Sequence, residues 1–198
     1  MARKDSKVLA LVGAGDVGIG ALRTCATVFD WDEVRVWSRG QKTLDNFMAS
    51  EQSRHPGLTL KPSTAIEDVV PGADVVVTMT TGGNIVVRDE HVSAGMHIAA
   101  LGSDLAGNQE LESAIAKRAR IFVDDIRQCR SDGETNMPLA DSDLSEIISG
   151  RKEGRTSDSE ITLFDSTGIA IQDSATVPLE YQRAVEAGVG VEKKMIST

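Results

Sequence analysis

The chain of 198 residues carries 30 Asp and Glu against 21 Lys and Arg, a net charge of −9, and 40% of it is hydrophobic. This acidic balance excludes nucleic acid and anionic membranes as main partners, because both require basic surface. The length suits one substantial core, or one core with a small appendage, and no apolar run has the length of a membrane span. Cys25 and Cys129 have neither metal-site spacing nor the density of a disulfide scaffold. With no signal-peptide pattern ahead of the first strand, a reducing cytoplasm is the expected compartment.

Residues 8–12, V-L-A-L-V, are an apolar run of buried-strand length. The run stops at G-A-G-D-V-G, residues 13–18, and residues 19–26 read as helix. A G-x-G-x-x-G between strand and helix is the dinucleotide-binding turn. Gly13 would permit the tight turn, Gly15 would let backbone approach a pyrophosphate, and Gly18 would let the helix pack on the strand. The helix N-terminus would present free N–H groups and positive dipole to the anion. The alternative is a glycine-rich turn in an α/β domain that holds no cofactor.

Residues 34–37, V-R-V-W, predict a second strand, and residues 41–53 a helix with Leu44, Phe47 and Met48 on one face. A third strand is expected at 58–60, a short capped helix at 64–68, and a clear strand at 73–79. Two further strands, 97–101 and 120–124, flank a helix predicted over 109–118. Strands alternating with helices at this pitch predict an α/β fold, a doubly wound and mostly parallel sheet of Rossmann type. Residues 132–159 form a polar connector with one helical patch at 144–148; a last strand at 161–164 and an amphipathic helix at 175–187 follow. The expected division is a dinucleotide-binding domain over 1–172 and a C-terminal helix and tail over 173–198.

The end of the second strand should meet the adenosine ribose. Ser38, twenty residues after Gly18, stands where NAD-binding turns carry a carboxylate, and Arg39 follows it. Nothing there repels a 2′-phosphate and Arg39 can pair with one, so NADP(H) is favoured over NAD(H); the alternative is a solvent-exposed arginine. The loop T-M-T-T-G-G at 78–83 lies where ligands of such sheets bind. Asp104, in L-G-S-D at 101–104, falls beside the expected nicotinamide and can move protons on an amine or imine, or else serve as a turn or cap residue. His55, His91 and His97 lack metal spacing, so no metal is expected, and Cys129 reads as a free thiol. Asp124 and Asp125 are a carboxylate pair or, alternatively, strand-end caps.

The motifs G-A-G-D-V-G, V-R-V-W-S-R, A-L-G-S-D-L-A-G-N-Q-E-L, F-V-D-D, G-E-T-N-M-P-L, G-R-T-S-D-S-E-I-T-L-F-D-S-T-G and I-A-I-Q-D occur in this order. Together they resemble the ornithine cyclodeaminase/μ-crystallin family from about Val8 to Gly188, most specifically over residues 150–173. That family contains NAD-dependent ornithine cyclodeaminases, alanine dehydrogenases, imine and ketimine reductases, and NADPH-binding μ-crystallins. The resemblance implies hydride transfer at the α-carbon of an amino or imino acid, with Asp104 as the proton-transferring residue. It further implies that Asp16 and Val17 contact the pyrophosphate, and that Ser38 and Arg39 take the adenosine-ribose end. Thr80 would lie beside the dinucleotide, and Leu101, Gly102 and Ser103 would line the nicotinamide side. Ser166 and Thr167 match the returning segment that touches nicotinamide and substrate. The W-S-R variant looks closer to the NADPH-using members.

The implied partners are a small amino or imino acid and, for a full-length parent, a second copy as homodimer. Two departures from the family pattern stand out. Relatives carry a long N-terminal segment supplying the Arg and Lys that grip the substrate carboxylate, whereas this chain starts at the first Rossmann strand. The stretch from Met137 to Ile148 also looks shortened. These departures keep a second reading open, a non-catalytic NADP(H)-binding protein or an isolated cofactor domain. They also predict that the apolar stripe Val177, Leu179, Tyr181 and Val185 stands exposed.

Overall fold

The computed structural model describes residues 1–81, 83–103, 105–134 and 140–193. Asp104, and residues 137–139 of the stretch expected to be shortened, lie outside the described residues. The strands are β1 (Val8–Val12), β2 (Glu33–Trp37), β3 (Thr59–Ser63), β4 (Val75–Thr78), β5 (His97–Ala100), β6 (Arg120–Val123), β7 (Ser142–Asp143) and β8 (Thr162–Asp165). They make one parallel sheet in the order β3-β2-β1-β4-β5-β8-β6-β7. The helices are α1 (Asp16–Cys25), α2 (Gln41–Glu51), α3 (Ser113–Ala116), α4 (Ile126–Asp132), α5 (Leu144–Ile148) and α6 (Ala170–Ala187).

Side chains alternate across each strand, so β1 feeds two cores. Leu9 and Leu11 pack with Leu22 of α1 and Leu44 and Phe47 of α2. Ala10 and Val12 pack on the other face with Val76, Ile98, Ile115 and Leu163. A parallel sheet covered on both faces explains why β1 and β4 are uninterrupted apolar runs. Pro62 is tolerated because β3 is an edge strand.

Several expectations change. The helix predicted over 109–118 shrinks to α3, because Glu110 and Leu111 have other commitments. The Glu110 carbonyl accepts the N–H groups of Val86 and Val87, and Leu111 bridges Val87. The N–H groups of Glu110 and Leu111 donate to the Glu134 carboxylate. The short helix expected at 64–68 is a 3₁₀ turn, Ile66–Asp68. Three elements were not anticipated, the first a 3₁₀ turn at Asp89–His91. Helix α4 follows Asp125, whose carboxylate caps it by accepting from the N–H groups of Arg127 and Gln128. Strand β7 contributes two residues, too few to leave a periodic signal.

The chain divides into two compact units, Met1–Thr167 and Gly168–Thr198. The second is built on α6, which ends in the left-handed conformation at Gly188 and contains no buried residue. Its Val177, Leu179, Tyr181 and Val185 are all exposed. Among the described residues no helix is long and apolar enough to cross a membrane.

In the first unit α1 and α2 are locked by one buried carboxylate. Glu51 accepts from Arg23 Nε at 3.0 Å and Nη2 at 2.7 Å, and from Ser50 Oγ at 2.5 Å. Hydrogen bonding by Arg23 outweighs burial and holds the Glu51 carboxyl down at about 2. An unfolded chain would protonate it near 4.5. The stabilisation is therefore whole above that value and is lost as pH falls towards 2. Glu51→Gln should cost stability at pH 6 and much less at pH 2.5; a urea-unfolding penalty that is the same at both would contradict the pairing.

Candidate functional site

The strand order reverses between β1 and β4, and ligands of such sheets bind where the carboxyl ends diverge. Register brings these ends to one edge: Val12 pairs with Trp37 and Thr78, Thr78 with Ala100, and Ala100 with Asp165. Residues 13–18, Ser38 and Arg39, Met79 to Thr81, Leu101 to Ser103, and Ser166 and Thr167 therefore emerge side by side. The placement of β8 beside β5 is what adds Ser166 and Thr167 to this edge.

The glycine turn has the shape its spacing implied. Gly13 lies at φ +132°, and a side chain there would also run into the Met79 carbonyl, 2.7 Å away. At Gly18 a Cβ would collide with the Gly13 carbonyl oxygen, so α1 rests directly on the turn. Gly15 differs, because a Cβ there would meet no protein atom within 4 Å. The space in front of Gly15 is open, and the first turn of α1 has no side-chain cap for its N–H groups. A cleft of about 220 Å³ lies there between Gly13, Gly15, Ser38, Arg39 and Thr80. Arg39 is exposed and its Nη2 is 3.5 Å from Thr81 Oγ1. A neighbouring hollow of about 190 Å³ is lined by Trp37, Arg39, Thr80 and Ile85. On the β5 side, Val17, Thr80, Leu101 and Gly102 border a third space of about 370 Å³.

Four buried carboxylates, Glu110, Glu134, Asp165 and Asp124, stand behind this edge. Glu110 accepts the N–H groups of Thr80 at 2.6 Å and Gly102 at 3.0 Å. Glu134 accepts from Glu110 and Leu111, and its own N–H donates to Asp165 at 2.9 Å. Burial pushes the Glu134 carboxyl up to about 7, and the backbone N–H bonds offset only part of this. Ser103 is buried, with its hydroxyl donating to the carbonyls of Asn108 and Asp132. Ser166 Oγ donates to Asp124 at 2.8 Å, and Thr167 Oγ1 lies 3.5 Å from the same carboxylate. Asp124 thus orders the returning segment, while Asp125 is a helix cap. Cys129 touches Asp124, and burial raises its thiol to about 12, which makes it a poor nucleophile. His97 is held neutral by burial, its value lowered to about 3, against Thr162 Oγ1 at 2.9 Å.

A parallel sheet with a glycine turn at its switch point defines a Rossmann-type dinucleotide-binding fold. The family model for the ornithine cyclodeaminase/mu-crystallin family matches residues 1–188, and the chain belongs to that family. It is 36% identical over 203 residues to alanine dehydrogenase of Archaeoglobus fulgidus, covering 98% of this chain and 62% of that protein. It superposes on an archaeal alanine dehydrogenase dimer with bound NAD at a TM-score of 0.88 and 36% identity, over 99% of this chain and 63% of that one. The Thermococcus litoralis Δ1-pyrroline-2-carboxylate reductase, solved with NADH and L-proline, matches at a TM-score of 0.89 and 29% identity, over 98% and 62%. The chain therefore spans less than two-thirds of the length of these relatives.

Glu110 and Glu134 escaped sequence reasoning as site residues, although the spacing D-L-A-G-N-Q-E placed Glu110 in a singled-out motif; Asp124 was weighed only as half of a carboxylate pair or as a strand-end cap. Glu134 also sets a pH dependence. The folded chain keeps its proton up to about 7, whereas an unfolded chain releases it near 4.5. Stability attributable to this group falls as pH rises through that window. Glu134→Gln cannot ionise, so its urea-unfolding free energy should change less between pH 5 and pH 8 than that of the wild type. Parallel losses in the two proteins would show that Glu134 does not titrate there.

Proposed function

We propose that this chain binds a nicotinamide dinucleotide and serves hydride transfer at the α-carbon of a small amino or imino acid. The observation that carries the reading is the Gly15 cradle: backbone open to a ligand, at an uncapped helix N-terminus, at the switch point of the sheet. The pyrophosphate would lie on the N–H groups of the turn and of Asp16 and Val17, with Gly18 keeping α1 close enough to supply them. Ser38 and Arg39 would hold the adenosine ribose, and Thr80 would run beside the dinucleotide. Leu101, Gly102 and Ser103 would form the floor under the nicotinamide, Ser103 through its backbone because its hydroxyl is turned inward. Bound there, the nicotinamide supplies the hydride chemistry. Asp104 would take and return the proton on the substrate nitrogen, and Ser166 and Thr167 would border nicotinamide and substrate. Family membership, with relatives named for alanine and pyrroline-2-carboxylate, supports the substrate class.

Preference for NADP(H) rests on Ser38 and Arg39, since the solved relatives hold NAD or NADH. The exposed stripe on α6 supports pairing with a second copy, as in the archaeal dimer. Two unpaired cysteines fit a reducing compartment, and we assign the cytoplasm.

Calorimetric titration with NADPH and NADH tests the cofactor roles. Gly15→Val should abolish binding of both with the fold intact, since a Cβ there meets no protein atom within 4 Å; binding at wild-type affinity would refute the cradle. Arg39→Ala should weaken NADPH by about tenfold and NADH by much less, the loss of one charge-assisted contact. An equal loss for both would remove the 2′-phosphate role.

Asp104→Asn should lower amino-acid-dependent turnover by roughly 10²–10⁴-fold, the usual contribution of a general acid–base group. Its dinucleotide affinity should stay within about twofold of wild type, because the amide keeps the size and most hydrogen bonding. Full activity in that variant would assign proton transfer elsewhere.

A further inference from the structure

Glu110 is fully buried, yet it has no Lys or Arg within ion-pair distance among the described residues. A carboxylate so placed is costly unless both oxygens are satisfied. Here each oxygen takes one backbone N–H, and the two donors come from different loops. Oε1 accepts from Thr80, on the loop after β4, and Oε2 accepts from Gly102, on the loop after β5. Both loops border the space beside Val17 and Leu101. The fit at Gly102 is close enough that a Cβ there would have to displace the Glu110 carboxyl.

The support continues behind Glu110. Its peptide N–H and that of Leu111 are held by Glu134, whose own N–H is held by Asp165 at the end of β8. One series of carboxylate-to-amide bonds thus reaches three strand ends of the candidate site.

We infer that Glu110 is a positioning residue: its carboxylate braces the Thr80 and Gly102 loops together and thereby sets the floor on which the nicotinamide lies. This role rests on the dinucleotide reading above. It is specific to the carboxylate, because an amide offers one acceptor and would turn an N–H₂ group towards the second backbone N–H. Both braced loops border the space at the nicotinamide end, and of the two amides only that of Thr80 belongs to a residue that also lines the pyrophosphate cleft. Gly13, Gly15 and Ser38, which border the pyrophosphate and ribose, receive no bond from Glu110 among the described contacts.

Two measurements on wild type and Glu110→Gln test the brace. Amide hydrogen exchange without cofactor should be accelerated about tenfold or more at Thr80 or Gly102, with Leu111 unchanged, as expected for the loss of one buried hydrogen bond. Calorimetry should show NADH and NADPH weakened about tenfold, while ADP-ribose, which lacks nicotinamide, stays within about threefold. Unchanged exchange at both amides overturns the brace, and so does an equal loss of affinity for dinucleotide and ADP-ribose. If wild type binds neither ligand, the dinucleotide reading fails, and the exchange data still decide whether Glu110 ties the loops. Glu110→Asp, which keeps charge but shortens reach, should give the same pattern and serves if the glutamine variant does not fold.

Discussion

Helix α1 lies directly against the end of β1 because Gly18 has no side chain to hold it off the Gly13 carbonyl oxygen. That contact aims the N-terminus of α1 along the carboxyl edge of the sheet, where the dipole favours an anion. Gly13 also lies close to Met79, since a Cβ there would stand 2.7 Å from its carbonyl oxygen, so the loop after β4 is positioned against the same turn. The two strands on either side of the switch point are therefore fastened to each other through glycines. Any larger residue at Gly13 or Gly18 would push the helix or the β4 loop away and open the crevice.

The far side of the crevice is held by different means. Around β5 and β8 the loops are ordered by buried acceptors: Glu110, Glu134 and Asp165 reach backbone N–H groups, and Asp124 takes the Ser166 hydroxyl. Loop N–H groups buried without partners would each cost free energy comparable to a lost hydrogen bond. Glu110 and Glu134 each satisfy two of them, but burial in a poorly solvated region has a cost that shows at Glu134. Glu134 registers this as a carboxyl displaced to about 7, with burial first and the neighbouring Glu110 and Asp165 adding to it. The region is thus well connected but electrostatically tense, in contrast to the Arg23–Glu51 lock between α1 and α2, where a guanidinium neutralises the buried acid.

Much of the fold was legible because its signals are local. The apolar run of β1, the glycine spacing, the period of α2 and the patch at 144–148 each declare themselves within a dozen residues. Where local signals competed, reading failed. Residues 109–112 have helical composition, yet their backbone groups are taken by Val86, Val87 and Glu134. Helix α4 did carry a cap signal in Asp125, which reads equally as the end of the strand before it and as the start of a helix. The Ser103 hydroxyl illustrates the same limit at the site: small residues at a strand end are legible, but the direction of a side chain is not.

By itself the sequence determined the main order of strands and helices apart from α4 and β7, the dinucleotide turn and the family, since each depends on residue types at short fixed spacings. Tertiary structure alone decided that β8 inserts beside β5, that Glu110 reaches both Thr80 and Gly102, and that Asp124 receives Ser166. The physical reason is separation along the chain. Those contacts join residues 8 to 65 positions apart, and nothing in a local pattern specifies which N–H or hydroxyl a buried carboxylate will find.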